Sequence, residues 1–120
     1  MAKRILIIED DPDILEILDI IFIDEGFDIV SKRNGMSADE IGLVHPDLIL
    51  LDVRISGFEK TGAQLCEELK SFALTSPIPV VLLSAEADLP SIARLCGANA
   101  YISKPFEINS LVSKVKEMMA

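Results

Sequence analysis

Short apolar segments alternate along this chain with segments of helical periodicity, and five such pairs follow one another. Three of the apolar segments, Ile5–Ile8, Leu48–Leu51 and Val80–Leu83, contain no polar residue, which is typical of strands that are buried on both faces. The five predicted strands are Ile5–Ile8, Phe27–Val30, Leu48–Leu51, Val80–Leu83 and Ala100–Ser103. The five predicted helices are Asp13–Glu25, Ser37–Val44, Gly62–Phe72, Leu89–Cys96 and Ile108–Met118.

This alternation predicts an α/β fold in which a parallel sheet is covered by helices on both faces. Because strand–helix–strand crossovers are right-handed, the arrangement expected for five strands is a flavodoxin-like, doubly wound sheet in the order 2-1-3-4-5. A chain of 120 residues with half of them hydrophobic fits one such domain, residues 1–120. In this fold, ligands bind beyond the carboxyl ends of strands one and three.

Polar side chains follow four of the predicted strands, at the point where each strand ends. Strand one ends in Glu9-Asp10-Asp11 and strand three in Asp52, while strand four ends in Ser84 and strand five in Lys104-Pro105. Carboxyl ends of parallel strands meet at one edge of a sheet, so we expect these groups to converge on one crevice. Isolated loop acids would not coincide with the strand ends in this way.

A cation explains why carboxylates gather at such a crevice. Two carboxylates ~4 Å apart repel by roughly 4 kcal/mol at an effective dielectric constant of about 20. A bound Mg²⁺ attracts both carboxylates and so offsets their repulsion. Mg²⁺ prefers carboxylate oxygens together with water and phosphate oxygens. Asp52 can then act as a nucleophile towards a phosphoryl group. Lys104 and the Ser84 hydroxyl would hold the phosphoryl oxygens.

The segments "ILIIEDD", "LILLDVRISG", "VVLLSA" and "ANAYISKPF" occur in this order along the chain. They resemble the marker segments of the receiver domains of two-component response regulators, and the resemblance covers the whole chain. It implies that Asp52 is the phosphoacceptor. It also implies that Mg²⁺ is bound by Asp10, Asp52 and the backbone carbonyl of Arg54, and by Glu9 through water.

The same resemblance assigns roles to the residues that follow strands four and five. Ser84 and Tyr101 match the pair of switch residues, and Lys104 matches the lysine that contacts the phosphate. The Lys104–Pro105 peptide is cis in this family. From the residues alone, Ser84 could instead be a cap at the end of its strand, although the phosphate contact is preferred. Tyr101 could be a half-buried strand residue, and its switch role depends wholly on the resemblance.

The resemblance implies a protein that takes a phosphoryl group from a phosphohistidine of a histidine kinase or phosphotransfer protein. Such a domain is not a conventional enzyme, but it catalyses its own phosphorylation and its own later dephosphorylation. It would act through a downstream protein target or an appended output domain. Ile14, Ile17 and Phe106 are expected in the core, although the resemblance allows some of them to edge a docking patch for the kinase.

Two other functions compete with this interpretation. One is a receiver-like interaction module that is not phosphorylated, which the complete set of polar residues argues against. The other is a Mg²⁺-dependent phosphatase with an aspartyl nucleophile. Such phosphatases usually carry a second Asp two residues after the nucleophile, where this chain has Arg54.

The acidic composition excludes some kinds of partner. With 20 acidic and 11 basic residues, the formal net charge is −9, which argues against direct contact with nucleic acid or an anionic membrane. The amino terminus lacks the apolar stretch of a signal peptide, so a cytoplasmic protein is expected. Cys66 and Cys96 have no metal-binding spacing and are expected to be buried, reduced core residues.

Three local details complete the expectations. Asp11 precedes Pro12, and because proline favours the first helical position, Asp11 is predicted to be the N-cap of the first helix. The segment after Asp52 departs from the family pattern: Ser56 replaces a proline, and a short insertion precedes Gly62. Arg54 and Glu86 follow neighbouring strand ends, and the sequence leaves two arrangements open: an ion pair over the crevice, or two independent solvated charges.

Overall fold

The computed structural model describes residues 2–55 and 58–120 of the chain. Five strands form one parallel sheet in the order β2-β1-β3-β4-β5, as predicted. The strands are β1 (Arg4–Ile8), β2 (Asp28–Lys32), β3 (Leu48–Asp52), β4 (Val80–Ser84) and β5 (Ala100–Ser103). The helices are α1 (Pro12–Asp24), α2 (Ala38–Val44), α3 (Gly62–Ser71), α4 (Leu89–Cys96) and α5 (Ile108–Met119). Ser56 and Gly57, where the inserted loop begins, lie outside the described residues.

The sheet separates two apolar clusters, one on each face. Alternate strand side chains point to opposite faces, so Leu6 and Ile8 pack with α2, α3 and α4, while Ile5 and Ile7 pack with α1 and α5. All residues of β3 and β4 are buried, whereas the edge strands β2 and β5 are partly exposed. Continuous apolar strands therefore mark the centre of the sheet, as expected for a parallel sheet covered on both faces.

Helix caps account for the shifts between the predicted and observed ends. Asp11 is the N-cap of α1, as predicted: its side chain accepts hydrogen bonds from the backbone N–H groups of Asp13 and Ile14. Pro12 is thereby the first residue of the helix, one position earlier than the apolar periodicity indicated. In α2, Ser37 forms a capping box with Glu40 and stands outside the helix that was predicted to include it.

The buried face of α1 differs from the predicted one. Ile14 and Ile17 were expected in the core. Ile14 packs against the apolar cluster on this face of the sheet, but Ile17 is 47% exposed, and the buried residues of the helix are Leu15, Leu18 and Phe22. The prediction of Ile17 as a core residue was wrong because apolar residues occur all around this helix, so periodicity does not define one face.

Cys66 and Cys96 are buried free thiols between α3 and α4, as expected of core residues. The Cys66 thiol lies 3.5 Å from the backbone oxygen of Cys96, and burial raises the pKa of Cys66. A thiol with a raised pKa is a poor nucleophile, which agrees with a packing role.

Candidate functional site

The carboxylates at the end of β1 are placed by the strand and by the helix that follows it. Glu9 is 1% exposed, and its backbone N–H donates to the Lys32 carbonyl at 3.1 Å, which continues the β1–β2 pairing. Its Oε2 accepts a 3.2 Å hydrogen bond from the backbone N–H of Asp11. Asp10 is half-buried, and Asp11 points away to cap α1. The three adjacent acids therefore divide into two that face the crevice and one that stabilises a helix.

Asp52 joins these carboxylates from the end of β3. It is 6% exposed, and carboxylate oxygens of Glu9, Asp10 and Asp52 all lie within 4.8 Å of one another. The backbone N–H of Arg54 lies 3.3 Å from Asp52 Oδ1, so the chain turns closely around the carboxylate. The structure thus brings together the acidic residues predicted for the metal site.

Lys104 reaches the same carboxylates from the end of β5. Its Nζ lies 2.6 Å from Glu9 Oε1 and 3.5 Å from Asp52 Oδ2. Burial alone would lower the pKa of this ammonium, but Glu9 and Asp52 together outweigh burial and raise the pKa. The Lys104–Pro105 peptide bond is cis.

The crowded carboxylates have an electrostatic cost that one lysine does not remove. Burial raises the pKa of the Asp52 carboxyl, and the adjacent Glu9 raises it further, to about 7, although Lys104 acts in the opposite direction. Among the described residues, the buried Glu9 Oε1 accepts no hydrogen bond of regular geometry, and its close partner is the Lys104 ammonium in an ion pair. One ammonium compensates only part of the negative charge of the neighbouring carboxylates.

These observations test whether Mg²⁺ fits the residues present. The site offers hard carboxylate oxygens, one of them buried without a hydrogen-bond partner, on residues that repel one another. A small divalent cation would bind such oxygens and offset the repulsion between them. Glu9, Asp10 and Asp52 therefore fit Mg²⁺, and the Arg54 backbone passes beside Asp52.

Ser84 and Tyr101 occupy different surroundings. Ser84, at the end of β4, is 3% exposed, and its hydroxyl accepts a 3.1 Å hydrogen bond from the backbone N–H of Glu86. A hydroxyl that accepts one bond still carries a hydrogen that it can donate. Tyr101 lies in the edge strand β5 opposite Leu82 and is 42% exposed. The structure places Ser84 at the crevice edge of the sheet and leaves the Tyr101 ring partly in solvent.

Arg54 and Glu86 meet above this edge, which is one of the two arrangements that the sequence left open. The Arg54 guanidinium Nε contacts Glu86 Oε1 directly in an ion pair. The Arg54 side chain is 81% exposed and the Glu86 side chain 25% exposed. The pair therefore links the segments that follow β3 and β4 on the solvent side of the crevice.

The structure adds contacts that the sequence analysis did not identify. Lys104 lies closer to Glu9 than to Asp52, and no sequence signal distinguishes these two partners. Gly62 begins α3 against the end of β3: its N–H donates to the Val53 carbonyl at 2.6 Å, and a Cβ there would lie 1.9 Å from the Asp52 carbonyl oxygen. The sequence predicted Gly62 as the first residue of this helix but gave no sign of its close approach to Asp52.

Comparison with known proteins identifies the family to which this arrangement corresponds. A profile of the response regulator receiver domain matches residues 5–116. The phosphate regulon transcriptional regulatory protein PhoB of Escherichia coli is 37% identical over 122 residues, which cover 99% of this chain and 52% of PhoB. The chain spans about half the length of the curated relatives it matches.

Solved structures agree with this match. The signal receiver domain of a histidine kinase from Syntrophus aciditrophicus superposes with a TM-score of 0.86 at 37% identity, covering 98% of this chain and 90% of that one. The receiver domain of a Pseudomonas aeruginosa sensor histidine kinase, solved with magnesium coordinated in its active site cleft, gives a TM-score of 0.86 at 21% identity. That match covers 99% of this chain and 98% of the other and supports the fold alone.

Among the residues that the structure describes, no helix has both the length and the apolar character needed to cross a membrane.

Proposed function

The chain belongs to the response regulator receiver domain family, and from that membership we propose that it accepts a phosphoryl group on Asp52 in a Mg²⁺-dependent reaction. The observation that carries this proposal is the convergence of three carboxylates within 4.8 Å, with Lys104 Nζ 3.5 Å from Asp52 Oδ2. We propose that residues 1–120 form a single receiver domain and that the role of each site residue is the one the family resemblance assigns.

In the reaction, an ionised Asp52 oxygen attacks the phosphorus of a phosphohistidine or a small acyl phosphate. The new bond joins this oxygen to phosphorus, and the bond from phosphorus to the donor breaks, so the donor leaves with the electron pair. Lys104 favours the ionised form of Asp52 and is placed to hold a phosphoryl oxygen. Ser84 can donate its hydroxyl hydrogen to another such oxygen.

The metal would be held by Asp10, Asp52 and the Arg54 backbone carbonyl, with Glu9 acting through water. When bound, Mg²⁺ supplies positive charge that stabilises the charge on the transferred phosphoryl oxygens. In dephosphorylation, water attacks the phosphorus and the bond from phosphorus to the Asp52 oxygen breaks. Inorganic phosphate leaves, and Asp52 is again a carboxylate.

The outer face of α1 supports a protein partner for phosphotransfer. Ile17, Ile20 and Ile23 are 47%, 62% and 61% exposed, and they recur at intervals of three residues along the helix. The helix that carries this apolar stripe begins just after the acids of β1. We propose that a histidine kinase or phosphotransfer protein docks here. Output would pass to a downstream protein or to an attached output domain.

Phosphorylation is tested by incubating the protein with acetyl phosphate and Mg²⁺ and measuring its intact mass. The parent is expected to gain the mass of one phosphoryl group, and Asp52→Asn is expected to gain none. Asp28→Asn is the matched control, because it removes the same charge at the start of β2, at the opposite edge of the sheet.

The outcome separates the receiver from its alternatives. Labelling of Asp52→Asn at the parent's rate would refute the assignment of the phosphoacceptor. A parent that stays unlabelled with acetyl phosphate and with a phosphohistidine donor would instead support the interaction module that is not phosphorylated.

A further inference from the structure

Phe58, in the loop between β3 and α3, packs against a glycine in the loop between β2 and α2. A Cβ on Gly35 would lie 2.2 Å from the ring carbons Cγ and Cδ2 of Phe58, so a larger residue at Gly35 would displace the ring. Phe58 is half-buried and also packs against the apolar cluster on the α2–α4 face of the sheet. The ring therefore joins two loops that both leave the carboxyl edge of the sheet.

The same residue is tied to the segment that passes Asp52. The Phe58 N–H donates a 3.3 Å hydrogen bond to the Ile55 carbonyl, and Ile55 is 6% exposed in the same apolar cluster. Arg54 precedes Ile55, and its own N–H lies 3.3 Å from Asp52 Oδ1. This hydrogen bond thus connects Phe58 to Ile55, the residue that follows Arg54 beside the carboxylates.

We propose that Phe58 is a positioning residue for the metal site: its contact with Gly35 fixes the orientation of the Arg54 backbone carbonyl. This inference rests on the proposed function, in which that carbonyl is a Mg²⁺ ligand. A backbone carbonyl cannot be reoriented by rotating a side chain, so its direction depends on how the loop is held. Mg²⁺ requires nearly ideal octahedral geometry, and a misdirected ligand therefore lowers its affinity.

The first test measures Mg²⁺ binding by isothermal titration at a temperature at which circular dichroism shows every variant folded. Phe58→Ala is expected to raise the dissociation constant for Mg²⁺ by about tenfold, because the ligand loop loses its anchor. Phe58→Leu keeps an apolar side chain against Gly35 and should restore most of the affinity. Phe72→Ala is the matched control, since Phe72 is another partly exposed phenylalanine, placed at the end of α3 away from the crevice.

Gly35→Ala tests the same contact from the other side. The added methyl group would displace the Phe58 ring, so this variant is also expected to bind Mg²⁺ more weakly. The inference is overturned if Phe58→Ala binds Mg²⁺ within twofold of the parent. It is equally overturned if Phe72→Ala loses as much affinity as Phe58→Ala, or if Phe58→Leu is no better than Phe58→Ala.

The parent protein distinguishes failure of this inference from failure of the proposed function. If the parent neither binds Mg²⁺ nor accepts phosphate from acetyl phosphate, the proposed function fails and the positioning role fails with it. If the parent does both and Phe58→Ala binds Mg²⁺ equally well, the positioning role alone is wrong.

Discussion

At the scale of single residues, the chemistry of the crevice depends on two buried carboxyls that share one ammonium. Glu9 is 1% exposed and Asp52 is 6% exposed, and Lys104 lies within 3.5 Å of an oxygen of each. Burial and the charge of Glu9 raise the pKa of Asp52 to about 7, well above that of an exposed aspartate. The residue proposed as the nucleophile therefore carries a charge that both burial and Glu9 disfavour.

This raised pKa predicts how the stability of the metal-free protein depends on pH. Between the unfolded pKa of 3.8 and about 7, the folded state binds more protons at Asp52 than the unfolded state, so stability falls as pH rises. The slope from one group is at most about 1.4 kcal/mol per pH unit. Urea denaturation in the presence of a chelator should show this decline in the parent. The decline should be smaller in Asp52→Asn, and an equal decline in both would contradict the raised pKa.

The ion pair between Arg54 and Glu86 predicts the lifetime of the phosphorylated state. The two side chains form an ion pair between the segments that follow β3 and β4. In the proposed function, a closed pair would obstruct the water that attacks the phosphorus of an aspartyl phosphate. An exposed ion pair contributes little to stability, so its effect is expected in the rate. Arg54→Ala and Glu86→Ala should each speed dephosphorylation severalfold. The double variant should be no faster than the faster single variant.

The decay of phosphorylated protein in Mg²⁺, after the donor is removed, measures this effect. Glu117→Ala is the control, because it breaks an exposed contact with Lys114 on α5, away from the crevice. Rates unchanged in both single variants would rule out a gate. Effects that multiply in the double variant would show two independent residues instead of a pair.

At the scale of elements, the site depends on how closely α3 follows β3. A Cβ on Gly62 would lie 1.9 Å from the Asp52 carbonyl oxygen, so the helix can begin here only with glycine. Gly62→Ala should separate the helix from the strand end and destabilise the fold by about 1–3 kcal/mol, as expected for overpacking.

Gly42 provides the comparison for this variant. It lies inside α2, where a Cβ would make an ordinary 3.8 Å contact with Thr75. Because alanine favours helices more than glycine does, Gly42→Ala should be neutral or stabilising by up to about 1 kcal/mol. Urea denaturation measures both variants, and a Gly62→Ala midpoint equal to the parent's would show that the close contact is relieved without cost.

The elements also show what the sequence could establish. The central strands were predictable because burial on both faces leaves only apolar residues over Ile5–Ile8, Leu48–Leu51 and Val80–Leu83. The N-cap of α1 was predictable because Asp11 and Pro12 are a local signal. The exposed face of α1 was not predictable. Ile17 is as apolar as Leu15 and Leu18, and only the packing of the helix against the sheet decides which of these residues is exposed.

The candidate site was predictable to the level of which residues converge. Strand ends in a parallel sheet meet at one edge, and this topology brought Asp52 and Lys104 to the acids of β1. Distances within the group were not predictable, because they depend on side-chain rotamers. For this reason the sequence did not predict that Lys104 lies closer to Glu9 than to Asp52, or that Phe58 contacts Gly35.

At the scale of the whole molecule, the fold brings like charges together at the ends of β1 and β3. This arrangement lowers the stability of the folded state unless a cation binds there. The sheet order places β1 between β2 and β3, and the carboxylates at the ends of β1 and β3 lie within 4.8 Å of one another. Like charges that crowd a partly buried site disfavour the folded state. A cation that binds only to the folded protein would raise its free energy of unfolding and so offset this repulsion.

Removing one of these carboxylates should therefore stabilise the metal-free protein while abolishing its response to the metal. Asp10→Asn is expected to melt at a higher temperature than the parent in a chelator, because the repulsion in the crevice falls. The parent should gain stability with Mg²⁺, by about 2.7 kcal/mol when the metal is at a hundred times its dissociation constant. Asp10→Asn should lose most of this gain.

Asp28→Asn is the control that separates repulsion within the crevice from the effect of the overall net charge. It changes the net charge of −9 by the same single unit, but at the start of β2, where it cannot contact the crevice acids. Thermal unfolding of all three proteins, with chelator and with Mg²⁺, decides the matter. If Asp10→Asn keeps the parent's full Mg²⁺ shift, Asp10 is not a ligand. If Asp28→Asn rises as much as Asp10→Asn in chelator, the stabilisation comes from the overall charge of the protein and not from the crevice.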